Sequence, residues 1–153
     1  MTELYIKSTG LGKKGVSVVS VRNGKTAPQM FAKAFVDVMP TRGGGIPLGE
    51  ELVEGKYCNH IRRYSPTMCE LYAVAWGLTL AKDTKVKLFT LSFAVSEWLK
   101  DGWAPEDYAD VWQFVENARK GHNVQVVHVP YGADRNFNRL TDKMLELCNT
   151  IGI

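Results

Sequence analysis

Residues 16–21 read VSVVSV, an alternating, β-branched run that predicts a strand with one face buried. The same alternation marks residues 3–9 (ELYIKST), joined to the first run by a turn over the glycine-containing stretch 10–15. Asn23-Gly24 then signals a hairpin, and residues 30–39 (MFAKAFVDVM) form a third strand closed by Pro40. After Pro66 the period lengthens. Leu71, Val74, Ala75 and Leu78 fall on one face of a helix that Ser65 caps, Pro66 opens and residue 81 ends. A fourth strand (86–90), a short helix capped by Ser92 (93–99), a helix ended by Gly121 (106–120) and a fifth strand (124–129) follow. The last helix, 138–151, turns Leu140, Met144, Leu147 and Ile151 inward. The order βββ-αβ-αα-β-α predicts an α/β domain: an antiparallel three-stranded meander, then parallel strands, in a five-stranded mixed sheet with helices on both faces.

Composition narrows this picture little. The 153 residues suit one domain, 1–153, and 45% hydrophobic with 23% charged residues is an ordinary globular balance. A net charge of +3 is compatible with an anionic partner without demanding one. No apolar run approaches the roughly 18 residues of a membrane span. The N-terminus carries charges where a secretion signal would be apolar. Cys58, Cys69 and Cys148 are widely spaced, which points to a reducing, cytoplasmic setting. Cys58, His60 and Cys69 lack the paired spacing of a zinc site. The stretch 41–63 is a long connection and the natural contact element for a protein partner, since Ile46, Leu48, Leu52, Val53 and Tyr57 make it more apolar than a free loop needs.

Four stretches resemble the ribonuclease H family. KSTGLGKKG (residues 7–15) is similar to the end of the family's first strand, D-G-S with a Gly-rich turn. SPTMCELYAVAWGLTLA (65–81) is similar to its T-x-N-x-A-E-L-x-A helix. FTLSFAVSEWLKDGW (89–103) is similar to T-D-S-x-x-V followed by a tryptophan. HVPYGADRNFNRLTDKML (128–145) is similar to the last strand, loop and N-x-x-x-D helix, with Asn138 and Asp142 in step. The resemblance spans nearly the whole chain and implies the ribonuclease H-like fold, with 41–63 as an insertion between the third strand and the first helix.

The family cuts the RNA strand of an RNA·DNA hybrid with two divalent ions, held by four carboxylates because two nearby dications repel strongly. Position by position, the resemblance places Lys7, Glu70, Leu91 and Asp142 at those four sites. A register one residue later puts Ser8 at the first, which restores no acid. The charge of the set falls from about −4 to about −1. The family's loop histidine is also missing from PYGADRNF (130–137), and Asp134 and Asp37 take no family position. Lys7 is therefore expected to sit between Glu70 and Asp142 and replace the ions.

The expectation is a catalytically inactive, nucleic-acid-binding protein of ribonuclease H-like fold, without cofactor or metal. Its ligand is RNA, RNA·DNA hybrid or duplex. Lys7, Lys13, Lys14, Arg62, Arg63, Arg135 and Arg139 contact phosphate, Asn138 lies at the site edge, and Trp103 stacks on bases or sugars. The alternatives are a protein-interaction module built on 41–63, and a ribonuclease that uses Glu70 and Asp142 with Mg²⁺ or Mn²⁺.

Overall fold

The computed structural model describes residues 1–11, 14–36 and 66–151. Three strands, β1 (Thr2–Leu11), β2 (Lys14–Asn23) and β3 (Gln29–Val36), precede α1 (Pro66–Leu80). Next come β4 (Lys85–Thr90), α2 (Phe93–Asp101), a single 3-10 turn (Glu106–Tyr108), α3 (Ala109–Arg119), β5 (Asn123–His128) and α4 (Asn136–Ile151). The strand order is β3-β2-β1-β4-β5. The first three strands pair antiparallel, and β1, β4 and β5 run parallel. This is the mixed sheet that the hydrophobic pattern predicts. No described helix is long and apolar enough to cross a membrane.

Alternation along each strand distributes the core between two layers. Leu4 and Ile6 of β1, Val19 and Val21 of β2, and Val86 and Leu88 of β4 meet α1, α2 and α3 on one face. Val16, Val18, Ala32, Ala34 and Phe89 meet Phe137, Leu140, Met144 and Cys148 of α4 on the other. Tyr5 anchors that second layer, stacked on Phe89 with ring centroids 4.3 Å apart and edge-on to Phe137 at 5.3 Å.

The structure departs from the sequence reading in three places. The expected turn over 10–15 is mostly ladder, with Gly10 opposite Gly15 and Leu11 opposite Lys14, because a long antiparallel partner satisfies the backbone there. The helix expected over 106–120 begins as a 3-10 turn, in which the Tyr108 amide donates to the Pro105 carbonyl at 3.0 Å. The first helix is not amphipathic. Residues 68–78 are buried without a break, because the sheet lies on one side and α3 on another. Gly77 permits this approach. A Cβ there would lie 3.2 Å from Val19 and 3.3 Å from Leu4. The connection 41–63, Cys58 and His60 lie outside the described residues. Cys69 and Cys148 are buried free thiols.

Leu4 is fully buried between α1 and the sheet. Leu4→Ala is expected to cost about 2–5 kcal/mol of stability, read from the midpoint shift in urea unfolding at unchanged slope.

Candidate functional site

Neighbouring residues at the C-terminal end of β1 point to opposite faces of the sheet. Ser8 faces α1 and Lys7 faces α4, and the chemistry divides accordingly. On the α1 side, Glu70 is buried where α1 crosses the ends of β1 and β4. The Thr90 hydroxyl donates to Glu70 Oε1 at 2.9 Å and in turn accepts the Ser92 amide at 3.1 Å. Ser8 Oγ lies 2.6 Å from Glu70 Oε2 and 2.8 Å from the Pro66 carbonyl.

That geometry bears on a proton. A hydroxyl carries one hydrogen, yet Ser8 faces two oxygens. If Ser8 donates to Pro66, the short contact to Glu70 is satisfied when the carboxyl itself is protonated and donates to Ser8. Burial pushes Glu70 in the same direction, from 4.5 up to about 7, against the opposing pull of the Ser8 and Thr90 hydroxyls and the Lys7 charge. Glu70 is thus a carboxyl group whose two oxygens are engaged in tying α1 to β1 and β4.

On the α4 side, the Lys7 ammonium donates to Thr141 Oγ1 at 2.8 Å, and Thr141 donates onward to the Phe137 carbonyl at 2.9 Å. The same nitrogen stands 5.5 Å from the centre of the Tyr131 ring. Partial burial lowers the Lys7 pKa, and the Glu70 charge opposes that shift. Lys7 makes no ion pair with Glu70 or Asp142. An ion pair among the described residues joins the N-terminal ammonium to Asp83 at 3.2 Å. The expected lysine bridge between the two carboxylates is therefore corrected. Strand parity turns Lys7 away from α1, and Ser8 and Thr90 hold Glu70 instead.

The strands β4 and β5 end beside one another, but their chains leave to opposite faces, β4 into α2 and β5 toward α4. Phe93, the first residue of α2, is 63% exposed and meets the His128 ring edge-on at 5.5 Å. Tyr131, in the loop after β5, is 85% exposed beside Lys7, and Gly132 turns the chain behind it at φ 82°. Half-buried Leu91 packs against the α4 layer.

The remaining sequence-predicted residues scatter. Arg135 and Asn138 are exposed at the start of α4. Arg139 lines a cleft of about 150 Å³ with Glu3, Tyr5, Ser20 and Arg22, on the flank of α4 away from Lys7. Trp103 is exposed beyond the far end of α2, a helix about 13 Å long, and so stands apart from Phe93. Asp142 is exposed one residue past Thr141. Lys14 opens β2. Its side chain, with Lys13, Arg62 and Arg63, lies outside the described residues. Sequence reading missed Ser8, Thr90 and Thr141 as partners and Phe93, His128 and Tyr131 as surface. The available signals were the period of two along β1, and aromatic residues at or just beyond strand ends where chains commonly reach ligands.

No protein-family model matches the sequence, and no curated protein is significantly similar to it. Solved structures do match. Ribonuclease H1 from the halophilic archaeon Halobacterium salinarum aligns with a TM-score of 0.64 at 14% identity, covering 95% of this chain and 97% of its own. The N-terminal ribonuclease H domain of Rv2228c from Mycobacterium tuberculosis, solved as a fusion with maltose-binding protein, aligns at 0.64 and 12% over 100% of both chains. LC11-ribonuclease H1, solved in complex with an RNA/DNA hybrid, aligns at 0.64 and 10% over 97% and 99%. The chain has a ribonuclease H-like fold. Within the ribonuclease H-like fold seen here, no three His, Cys, Asp or Glu side chains among the described residues converge as a metal-binding group.

Because Glu70 titrates higher when folded, its contribution to stability is full below about pH 4.5 and is lost as pH rises through about 7. That interval corresponds to about 3 kcal/mol. Glu70→Gln, whose amide can donate to Ser8 and accept from Thr90, is expected to abolish this loss and to exceed wild type in stability at pH 8. Urea unfolding across pH 4–8 reads both.

Proposed function

We propose that this chain is a nucleic-acid-binding module that neither holds divalent ions nor cuts its ligand. The observation that carries this reading is the Lys7 ammonium at the C-terminal end of the central strand. It is held by Thr141, flanked by Tyr131 and free of a carboxylate partner among the described residues. An ammonium repels a dication and attracts a phosphate.

The donor set supports the same reading. Two ions a few ångströms apart need dense negative charge. Here Lys7 and Leu91 take two of the four positions, Asp142 is exposed on α4, and both Glu70 oxygens are engaged by hydroxyls. These residues do not fit a two-ion site. The solved complex of LC11-ribonuclease H1 with an RNA/DNA hybrid, a protein of the same fold, supports nucleic acid as the ligand class.

The test is binding and cleavage by the full chain on labelled RNA·DNA hybrid, double-stranded RNA and single strands, in Mg²⁺, Mn²⁺ and EDTA. The expected result is affinity that EDTA leaves unchanged and no cleavage. Lys7→Ala is expected to weaken binding severalfold and to flatten the salt dependence by about one phosphate contact. Metal-dependent cutting that Glu70→Gln abolishes would overturn the proposal in favour of a ribonuclease.

A further inference from the structure

The sheet face that α4 packs on is covered at Val16, Val18, Ala32 and Ala34. Toward the start of β1 the same face carries half-buried Glu3, whose cross-strand neighbours are exposed Arg22 on β2 and half-buried Lys87 on β4. There the sheet and the beginning of α4 bound a cleft of about 150 Å³, lined by Glu3 and Arg22 from the strands and by Arg139 from the helix. Three side chains lining this cleft have no partner among the described residues. Ser20 is only 8% exposed, and its hydroxyl makes no hydrogen bond there. Buried hydroxyls are ordinarily paired, so an orphaned one inside a cleft points to a ligand. The Arg22 and Arg139 guanidinium groups have neither an ion pair nor a hydrogen bond. The Asn136 amide, by contrast, is already engaged, donating to the Tyr5 hydroxyl at 3.1 Å and to Asp134 at 2.9 Å.

All three unpartnered groups are donors, and guanidinium accepts nothing, so the ligand they call for is rich in acceptor oxygens. They arrive from two elements, a strand and a helix, which suits a tetrahedral oxyanion better than a flat carboxylate. Charge favours the same choice. Lys87, Arg22 and Arg139 outnumber Glu3 on this part of the surface, and a phosphomonoester brings three acceptor oxygens with nearly two negative charges. Size sets a limit, since a cavity of about this volume holds a single benzene ring. It admits a phosphate and the carbons beside it, which Pro28, Met30 and Leu140 border, and leaves a nucleobase outside. We infer that this cleft binds a phosphomonoester, whose oxygens accept from Arg22, Arg139 and the Ser20 hydroxyl. The group comes either from a free phosphorylated sugar or nucleotide, or from the phosphorylated end of a strand. The site is separate from Lys7, which lies on the other flank of α4.

The experiment is calorimetric titration of the full chain, in EDTA, with ribose 5-phosphate and with ribose. Fluorescence anisotropy with a short single strand, carrying either a 5′-phosphate or a 5′-hydroxyl, distinguishes the two sources. Ribose 5-phosphate is expected to bind at least tenfold more tightly than ribose. Arg22→Gln and Arg139→Gln are each expected to weaken it about tenfold. Both arginines are exposed, so circular dichroism should be unchanged. Ser20→Ala is expected to weaken binding about threefold without lowering the urea midpoint, because its hydroxyl has no partner in the fold to lose. Lys7→Ala should leave ribose 5-phosphate binding as it was. A 5′-phosphate that tightens strand binding, and loses that advantage in Arg139→Gln, identifies a strand end as the source. Ribose 5-phosphate binding with no such advantage identifies a free phosphorylated molecule. Ribose bound as tightly as its phosphate, arginine variants with wild-type affinity, or binding that Lys7→Ala removes would overturn the inference. So would the absence of both ribose 5-phosphate binding and a 5′-phosphate advantage, and the nucleic-acid reading would still stand on its own test.

Discussion

Glu70 is the one carboxyl side chain in a helix buried without a break over residues 68–78, and the arrangement of the site depends on how that burial is satisfied. A charge in such a place needs partners or a proton. Here it has hydroxyl partners on two strands, Ser8 from β1 and Thr90 from β4, and a pKa raised to about 7 by burial. The contacts reach across 62 and 20 positions of sequence, so the carboxyl group also pins α1 to the strand ends it crosses. Ser92 extends the same network. Its amide donates to Thr90, while its side chain caps α2 by accepting the Val95 amide at 3.2 Å.

The surroundings of that group follow from strand parity. A side chain one residue from Ser8 cannot share its face, so Lys7 is delivered to α4, where Thr141 and Tyr131 receive it. A cation on one face of the sheet and a hydroxyl-bonded carboxyl group on the other make a different electrostatic object from a cluster of acids converging on ions. The first carries a positive charge to the strand ends, and the second has each oxygen engaged by a hydroxyl. Leu91, just past β4, packs against the α4 layer.

Much of the fold was legible in the sequence. Alternation in VSVVSV, the Asn-Gly turn, the Ser-Pro helix start and the Ser92 cap are local signals, and local physics decides them. The reading failed where a neighbour overrides local preference. The glycines of 10–15 were absorbed into a ladder because β2 offered hydrogen-bond partners. The helix expected to show one apolar face was buried on all sides because α3 covers the face turned from the sheet. At the site, the partnership drawn between Lys7 and the carboxylates was wrong, because the Lys7 ammonium meets Thr141 and Glu70 meets Ser8 and Thr90.

The residues by themselves determined the order of strands and helices and the alternation that gives each strand two faces. These are properties of composition and period, and they survive any detail of packing. Only the tertiary structure decided which groups meet. It placed Glu70 against hydroxyls rather than an ammonium, carried Lys7 to a threonine 134 positions away, and set the Phe93 ring against His128 and the Tyr131 ring beside Lys7. The reason is geometric. Which face a strand residue occupies can be read one residue at a time, but which helix covers that face depends on crossovers that close only when the whole sheet has formed.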